Sequence, residues 1–156
     1  MRVILVRHAE AVPQEDAGSD RDRWLSPRGR ELARGLARLL REQSIEPDVI
    51  VSSPLPRAVQ TAELLANGLD YLAAIQTWRS LEPSAQPRVA AAEITQAGAI
   101  VMVVGHEPSI SMLGAYLAGV PAFPSFRVAQ ACVLDGTRPV FTARADVMAV
   151  SALFLD

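Results

Sequence analysis

The stretch Met1-Arg2-Val3-Ile4-Leu5-Val6-Arg7-His8-Ala9-Glu10 decides how the rest of the chain is read. Val3 to Val6 are apolar at every position, so a strand made of them must be covered on both faces, as strands inside an α/β sheet are. Charge follows at once in Arg7, His8 and Glu10. The apolar run is too short for the core of a signal peptide, and it reads as a first strand with polar residues at its C-terminal tip.

Two further runs share this character. Val49 to Val51 and Ile100 to Val104 are short and β-branched, and each also ends in polar residues: Ser52 to Arg57 after the first, Gly105 and His106 after the second. Helical patterns lie between them. Leu32, Leu36, Leu39 and Leu40 fall on one helical face with arginines on the other. Ser26 suits the cap of that helix and Pro27 its first position, where the missing N–H costs nothing. A second helix follows Pro54 and Pro56 with Val59, Ala62, Leu65 and Ala66 inward. Residues 68–98 yield a weak strand from Tyr71 to Thr77 and a helix from Val89 to Gln96. Pro108 opens a helix through Ile110, Leu113 and Leu117. Val128 to Leu134, an Asp135-Gly136 turn and Val140 to Ala143 predict a hairpin, and Val147 to Leu155 a last strand. Repeats and linkers are absent, so residues 1–156 read as one α/β domain.

Composition narrows the function classes. Half of the 156 residues are apolar and the formal net charge is −2, which describes an ordinary globular chain and gives no nucleic-acid footprint. No apolar run reaches the length of a membrane helix. Cys132 is alone and can form no intrachain disulfide, so the cysteine count gives no argument for secretion and the cytoplasm is the expected compartment. All fifteen basic residues are arginines, a usage that reads as codon bias before it reads as anion binding.

Ligands of open α/β sheets bind beyond the carboxyl ends of the strands, and there the sequence puts both of its histidines and two arginines. Helices starting after Ser53 and Gly105 turn their N-termini to the same place, which favours an anion. Arg7 and Arg57 offer planar forks that match phosphoryl oxygens. Neighbouring guanidinium groups disfavour a protonated imidazole, so His8 is the candidate nucleophile, with His106 donating to the phosphoryl oxygens. Such chemistry calls for no cofactor. Metal binding by His8, His106, Glu10 and Glu107 is opposed by the flanking cations. A Gly-x-Ser-x-Gly elbow and a Gly-x-x-x-x-Gly-Lys loop are both missing.

Taken together, Arg7-His8-Ala9, Ser52-Ser53-Pro54 with Arg57 and Thr61, and Gly105-His106 resemble the motifs of the histidine phosphatase superfamily in order and approximate spacing. Ala9 stands where that family usually has glycine. The resemblance implies a three-layer α/β/α sandwich with a mostly parallel central sheet, phosphoglycerate mutase-like in topology. It implies that His8 is phosphorylated, that Arg7, Arg57 and His106 bind the phosphoryl group, and that water releases it. The short chain is most similar to the SixA-type phosphohistidine phosphatases, whose substrate would be a histidine phosphotransfer domain. Arg23, in Arg23-Trp24-Leu25-Ser26-Pro27-Arg28-Gly29, then becomes a further phosphate contact, with Arg21 competing for the role, and Ser53 another. Glu82 lies in the region where mutase-like members carry a proton donor. A broad-specificity small-molecule phosphatase and a non-catalytic phosphate-binding module are the alternatives.

Overall fold

A computed structural model describes residues 1–152. The sheet has the order β3-β2-β4-β1-β5-β6-β7. Its parallel half consists of β1 (Arg2–Arg7), β2 (Val49–Ser52), β3 (Gln76–Thr77) and β4 (Ile100–Gly105). Antiparallel pairing then adds β5 (Gln130–Asp135), β6 (Arg138–Arg144) and β7 (Ala149–Ser151). Since β6 runs antiparallel to β5, which runs antiparallel to β1, it shares the direction of β1 to β4, and the sheet is mixed with a dominant direction.

The unbroken apolarity of β1 and β4 is explained by the layers around them. Ile4, Val6, Met102 and Val104 meet helices α2 (Pro27–Glu42) and α3 (Pro56–Gly68) through Leu36, Leu40, Ala58 and Leu65. Val3, Leu5, Val101 and Val103 face the other way onto α4 (Pro87–Ala97) and α5 (Ser109–Ala118) through Ala90, Ile94, Ile110 and Leu113. This is the expected α/β/α sandwich. A four-residue helix, α1 (Gln14–Ala17), had no counterpart in the sequence pattern. No helix of the described residues is long and apolar enough to cross a membrane.

Several boundaries differ from the sequence reading. The strand expected from Tyr71 to Thr77 shrinks to Gln76–Thr77, because only there does the chain reach Val51 and Ser52. Tyr71 instead lends its hydroxyl to the Ile50 amide at 3.2 Å. Helix α4 extends past Val89 to Gln96 at both ends, with Pro87 in its first turn. The β5–β6 hairpin turns through Gly136 at φ 58°, as Asp-Gly sequences favour. The expected last strand is seen as Ala149–Ser151, and residues 153–155 of that expectation lie outside the described residues.

Helix α2 is tied to the tip of β1. Ser26 caps it by accepting from the Gly29 amide at 3.0 Å, and the same hydroxyl donates to a Glu10 carboxylate oxygen at 2.8 Å. The Ser26 amide donates to the Glu10 carbonyl at 3.0 Å. A Cβ on Gly29 would fall on that carbonyl oxygen, far inside contact distance, so the helix approaches the loop this closely only because residue 29 is glycine. Gly29→Ala is therefore expected to cost about 3 kcal/mol, the upper range for overpacking against backbone. Urea unfolding of the two proteins reads this, and an unchanged midpoint would show that the contact yields.

Candidate active site

The ladder between β1 and β4 pairs Arg7 with Gly105, and it continues one step further as the His8 amide donates to the Gly105 carbonyl at 3.0 Å. The Ser53 amide reaches the Val104 carbonyl in the same way, at 2.9 Å. His8, Ser53 and His106 are thereby delivered side by side at the carboxyl edge of the sheet. The two imidazoles lie 5.1 Å apart between centroids, inclined at 58°. Arg57, in the first turn of α3, reaches across to them.

Together with Arg7, Glu10, Ala11, Asp20, Arg23, Pro83, Glu107 and Val128, the side chains of His8, Arg57 and His106 line a cleft of about 310 Å³. Its floor is buried: His8 is 7% exposed, Arg57 4% and His106 2%. Carboxylates line the cleft too, yet among the described residues no group of three or more His, Cys, Asp or Glu is placed to hold a metal ion.

Hydrogen bonding fixes which nitrogen of His8 is free. Nδ1 lies 2.7 Å from the Ala9 carbonyl oxygen, which only accepts, so Nδ1 must carry the proton. Nε2 then has the lone pair, and the Arg57 Nε–H, which only donates, points to it at 3.3 Å. The Ala9 peptide is itself held, its amide donating to Thr61 Oγ1 at 3.0 Å while Thr61 donates to the Arg57 carbonyl at 2.8 Å. Ala9 does not take a positive φ, so a methyl group is accepted at this position.

Both histidines are held neutral. Burial pushes His8 down to about 4, with Arg57, Arg7 and Arg23 adding to the effect and the Ala9 carbonyl opposing it. The arginines act as the sequence suggested, but burial outweighs them. His106 is pushed down to about 3, again by burial first and then by His8 and Arg57.

His106 is set by Ser53. Nε2 of His106 and Ser53 Oγ are 2.7 Å apart, and that hydroxyl oxygen already accepts from the Leu55 amide at 3.3 Å. That hydroxyl has no other acceptor among the described residues, so its proton goes to Nε2, which leaves Nδ1 as an N–H. This Nδ1 is buried without a hydrogen-bond partner among the described residues, as is Nε of Arg7. Arg7 is anchored at its far end, where Nη1 donates to the Phe126 carbonyl at 2.7 Å. Buried donors left unsatisfied are costly, and two of them in one cleft imply an acceptor that arrives from outside.

The remaining expectations fare differently. Arg23 lines the cleft, with Nε on the Val12 carbonyl at 2.8 Å and Nη1 on Asp20 at 3.2 Å, whereas Arg21 turns away to Glu82 at 3.3 Å. Ser53, expected to touch phosphate, is fully buried behind His106 and is not among the lining residues. Glu82 is likewise absent from the lining, which its neighbour Pro83 reaches instead. Asp20 was not singled out from the sequence. It accepts from Arg57 twice, through its carbonyl at 2.7 Å and its carboxylate at 3.3 Å. The alternating Asp20-Arg21-Asp22-Arg23 reads as a solvated loop, and nothing local marks the one carboxylate that turns inward.

Known proteins resemble this chain in sequence and in fold. The model of the histidine phosphatase superfamily, branch 1, matches residues 3–83. The chain is 31% identical over 130 residues to phosphohistidine phosphatase SixA of Escherichia coli strain K12, covering 81% of this chain and 80% of that protein. Over 83 residues it is 39% identical to the 2,3-bisphosphoglycerate-dependent phosphoglycerate mutase of Thermobifida fusca strain YX, which covers 49% of this chain. That match spans only 33% of the mutase. Among solved structures, the protein histidine phosphatase SixA complexed with tungstate is similar with a TM-score of 0.87 at 25% identity, covering 96% of this chain and 100% of that one.

The two imidazoles of the chain give a direct reading of the electrostatics, because no other histidine overlaps them. In a proton NMR titration neither ring should show a midpoint between pH 5 and 8. A midpoint near 6.5 in the folded protein would contradict the burial argument. The unfolded state binds these protons first, so stability should fall as the pH drops below about 6.5 and continue falling through about 4 for His8 and toward about 3 for His106.

Proposed function

We propose that this chain, which belongs to the histidine phosphatase superfamily, hydrolyses phosphorylated substrates through a phosphohistidine formed on Nε2 of His8. The observation that carries the reading is the locked tautomer. Nε2 carries the lone pair at the buried floor of the cleft, facing a guanidinium that donates to it, while Nδ1 is tied to the Ala9 carbonyl.

In the first step, the Nε2 lone pair forms a bond to phosphorus as the bond to the leaving group breaks. Positive charge spreads over the imidazole and is met by the Ala9 carbonyl at Nδ1–H. Arg7 and Arg57 neutralise the phosphoryl oxygens, and the unpartnered Nδ1–H of His106 donates to one of them. Water then attacks phosphorus in line, the P–Nε2 bond breaks with its electron pair returning to Nε2, phosphate leaves with the two protons of the water, and His8 is neutral again for another cycle. Ser53 acts on this through His106, by placing the proton on the useful nitrogen. No step calls for a metal.

The substrate we favour is a phosphohistidine carried by a histidine phosphotransfer domain, with the reaction taking place in the cytoplasm. Two points support it. The alignment with SixA covers four-fifths of both chains, and Glu82, the carboxylate expected to protonate an ester leaving group, is engaged by Arg21 outside the cleft lining. Phosphate esters ordinarily need such an acid, whereas a phosphoramidate nitrogen is already basic enough to leave protonated.

Turnover of a phosphorylated phosphotransfer domain should fall by about a thousandfold or more in His8→Ala, the scale of losing a nucleophile. Arg57→Lys keeps the charge but loses the fork, and should fall by about a hundredfold. Activity that survives in His8→Ala would overturn the assignment. Fast ester hydrolysis that depends on Glu82, without action on phosphohistidine, would select a small-molecule phosphatase instead.

A further inference from the structure

Three carboxylates line the cleft, and two of them are occupied elsewhere. Both oxygens of Glu10 are taken by Ser26 and Arg28, and those of Glu107 by the Ser111 hydroxyl and the Phe126 amide. Asp20 alone is held on the arginines of the phosphoryl site. Its Oδ1 accepts from Arg23 Nη1 at 3.2 Å and its Oδ2 from Arg57 Nη2 at 3.3 Å. Its carbonyl accepts from Arg57 Nη1 at 2.7 Å and from the Arg23 amide at 3.3 Å.

A guanidinium offers one fork at its end, through Nη1 and Nη2, and another at its side, through Nε and Nη2. Asp20 takes the end fork of Arg57. The side fork faces His8, since Nε points to Nε2. A phosphoryl group undergoing transfer to Nε2 can therefore sit on the side fork while Asp20 stays in place. Depth fixes the rest of the arrangement. His8 is on the buried floor, whereas the Asp20 side chain is 55% exposed and so stands toward the mouth. In-line attack from the floor drives the leaving group toward the mouth, past this carboxylate.

We propose that Asp20 is a specificity determinant that selects substrates by the charge of the leaving group, favouring phosphoramidates over phosphate esters. This rests on the phosphatase reading given above. As the P–N bond of an N-phosphorylated imidazole, guanidine or amine breaks, the bonding pair stays on a nitrogen that is protonated in solution or in the cleft. That nitrogen departs without the negative charge that an ester oxygen acquires. A carboxylate beside the path attracts the cationic form and repels the anionic one. Asp20 remains ionised for this purpose, since the hydrogen bond from Arg23 and the charge of Arg57 hold its carboxyl below the usual carboxylate range.

The test compares wild type with Asp20→Asn, which keeps the shape and the main-chain contacts. The probes are N-phosphoimidazole and p-nitrophenyl phosphate, whose leaving groups differ in charge. The kcat/KM ratio of the first over the second should fall by about tenfold in Asp20→Asn, the scale expected of one partly exposed charge close to another. Asp20→Glu should recover part of the ratio. A parallel fall with both substrates would reduce Asp20 to a positioning residue for Arg57, and an unchanged ratio would remove any role in selection. Either result overturns the proposal while leaving His8 as nucleophile. If wild type hydrolyses neither probe, or if hydrolysis persists in His8→Ala, the phosphatase reading itself fails and the proposal with it.

Discussion

The pairing of β1 with β4 in the register Arg7 to Gly105 is the constraint from which the rest of the site follows. Because the strands are parallel, both chains leave the sheet at the same edge, and the residue after each pair is a histidine. A slip of one residue would turn every side chain of β1 to the opposite face, and it would exchange the apolar sets that meet α2 and α3 with those that meet α4 and α5. The hydrophobic layers therefore do more than stabilise the sheet. They fix the register that brings His8 and His106 to a centroid separation of 5.1 Å.

Burial then supplies the chemistry. An imidazole in water, with a pKa of about 6.5, would be roughly a quarter protonated at pH 7, and that share of its capacity as a nucleophile would be lost where it is needed. Here desolvation holds both rings neutral, and the arginines add to that rather than compete with it. The cost of leaving an Arg7 nitrogen and a His106 nitrogen buried without partners is the mark of a site preorganised for an oxyanion. Asp20 and the Ala9 carbonyl balance this concentration of donors, the first at the mouth and the second beneath the nucleophile.

Much of this was legible in the sequence, for physical reasons that differ by element. The strands β1, β2 and β4 declared themselves because central strands must be apolar on both faces, and Ser26 with Pro27 marked the start of α2 because few residue pairs suit those two positions. The convergence of Arg7, His8, Arg57 and His106 followed from where parallel strands end. Side-chain partners were a different matter. Ser53 lies on the predicted edge, yet which way its hydroxyl turns depends on His106, more than fifty residues distant. Glu82 and Arg21 find each other across 61 positions, and Asp20 is drawn inward by an arginine 37 positions away. Strand β3 was obscure because its two residues are exposed and have no apolar pattern to show.

The central claim is that Nε2 of His8 forms the covalent intermediate. Rapid mixing with a phosphorus-labelled phosphoramidate, quenching in alkali and NMR of the isolated phosphopeptide would locate the phosphoryl group atom by atom. The account predicts label on His8, at Nε2 and not at Nδ1, appearing and decaying at rates that match turnover. Label on His106, label at Nδ1 of His8, or steady turnover with no labelled histidine would contradict it.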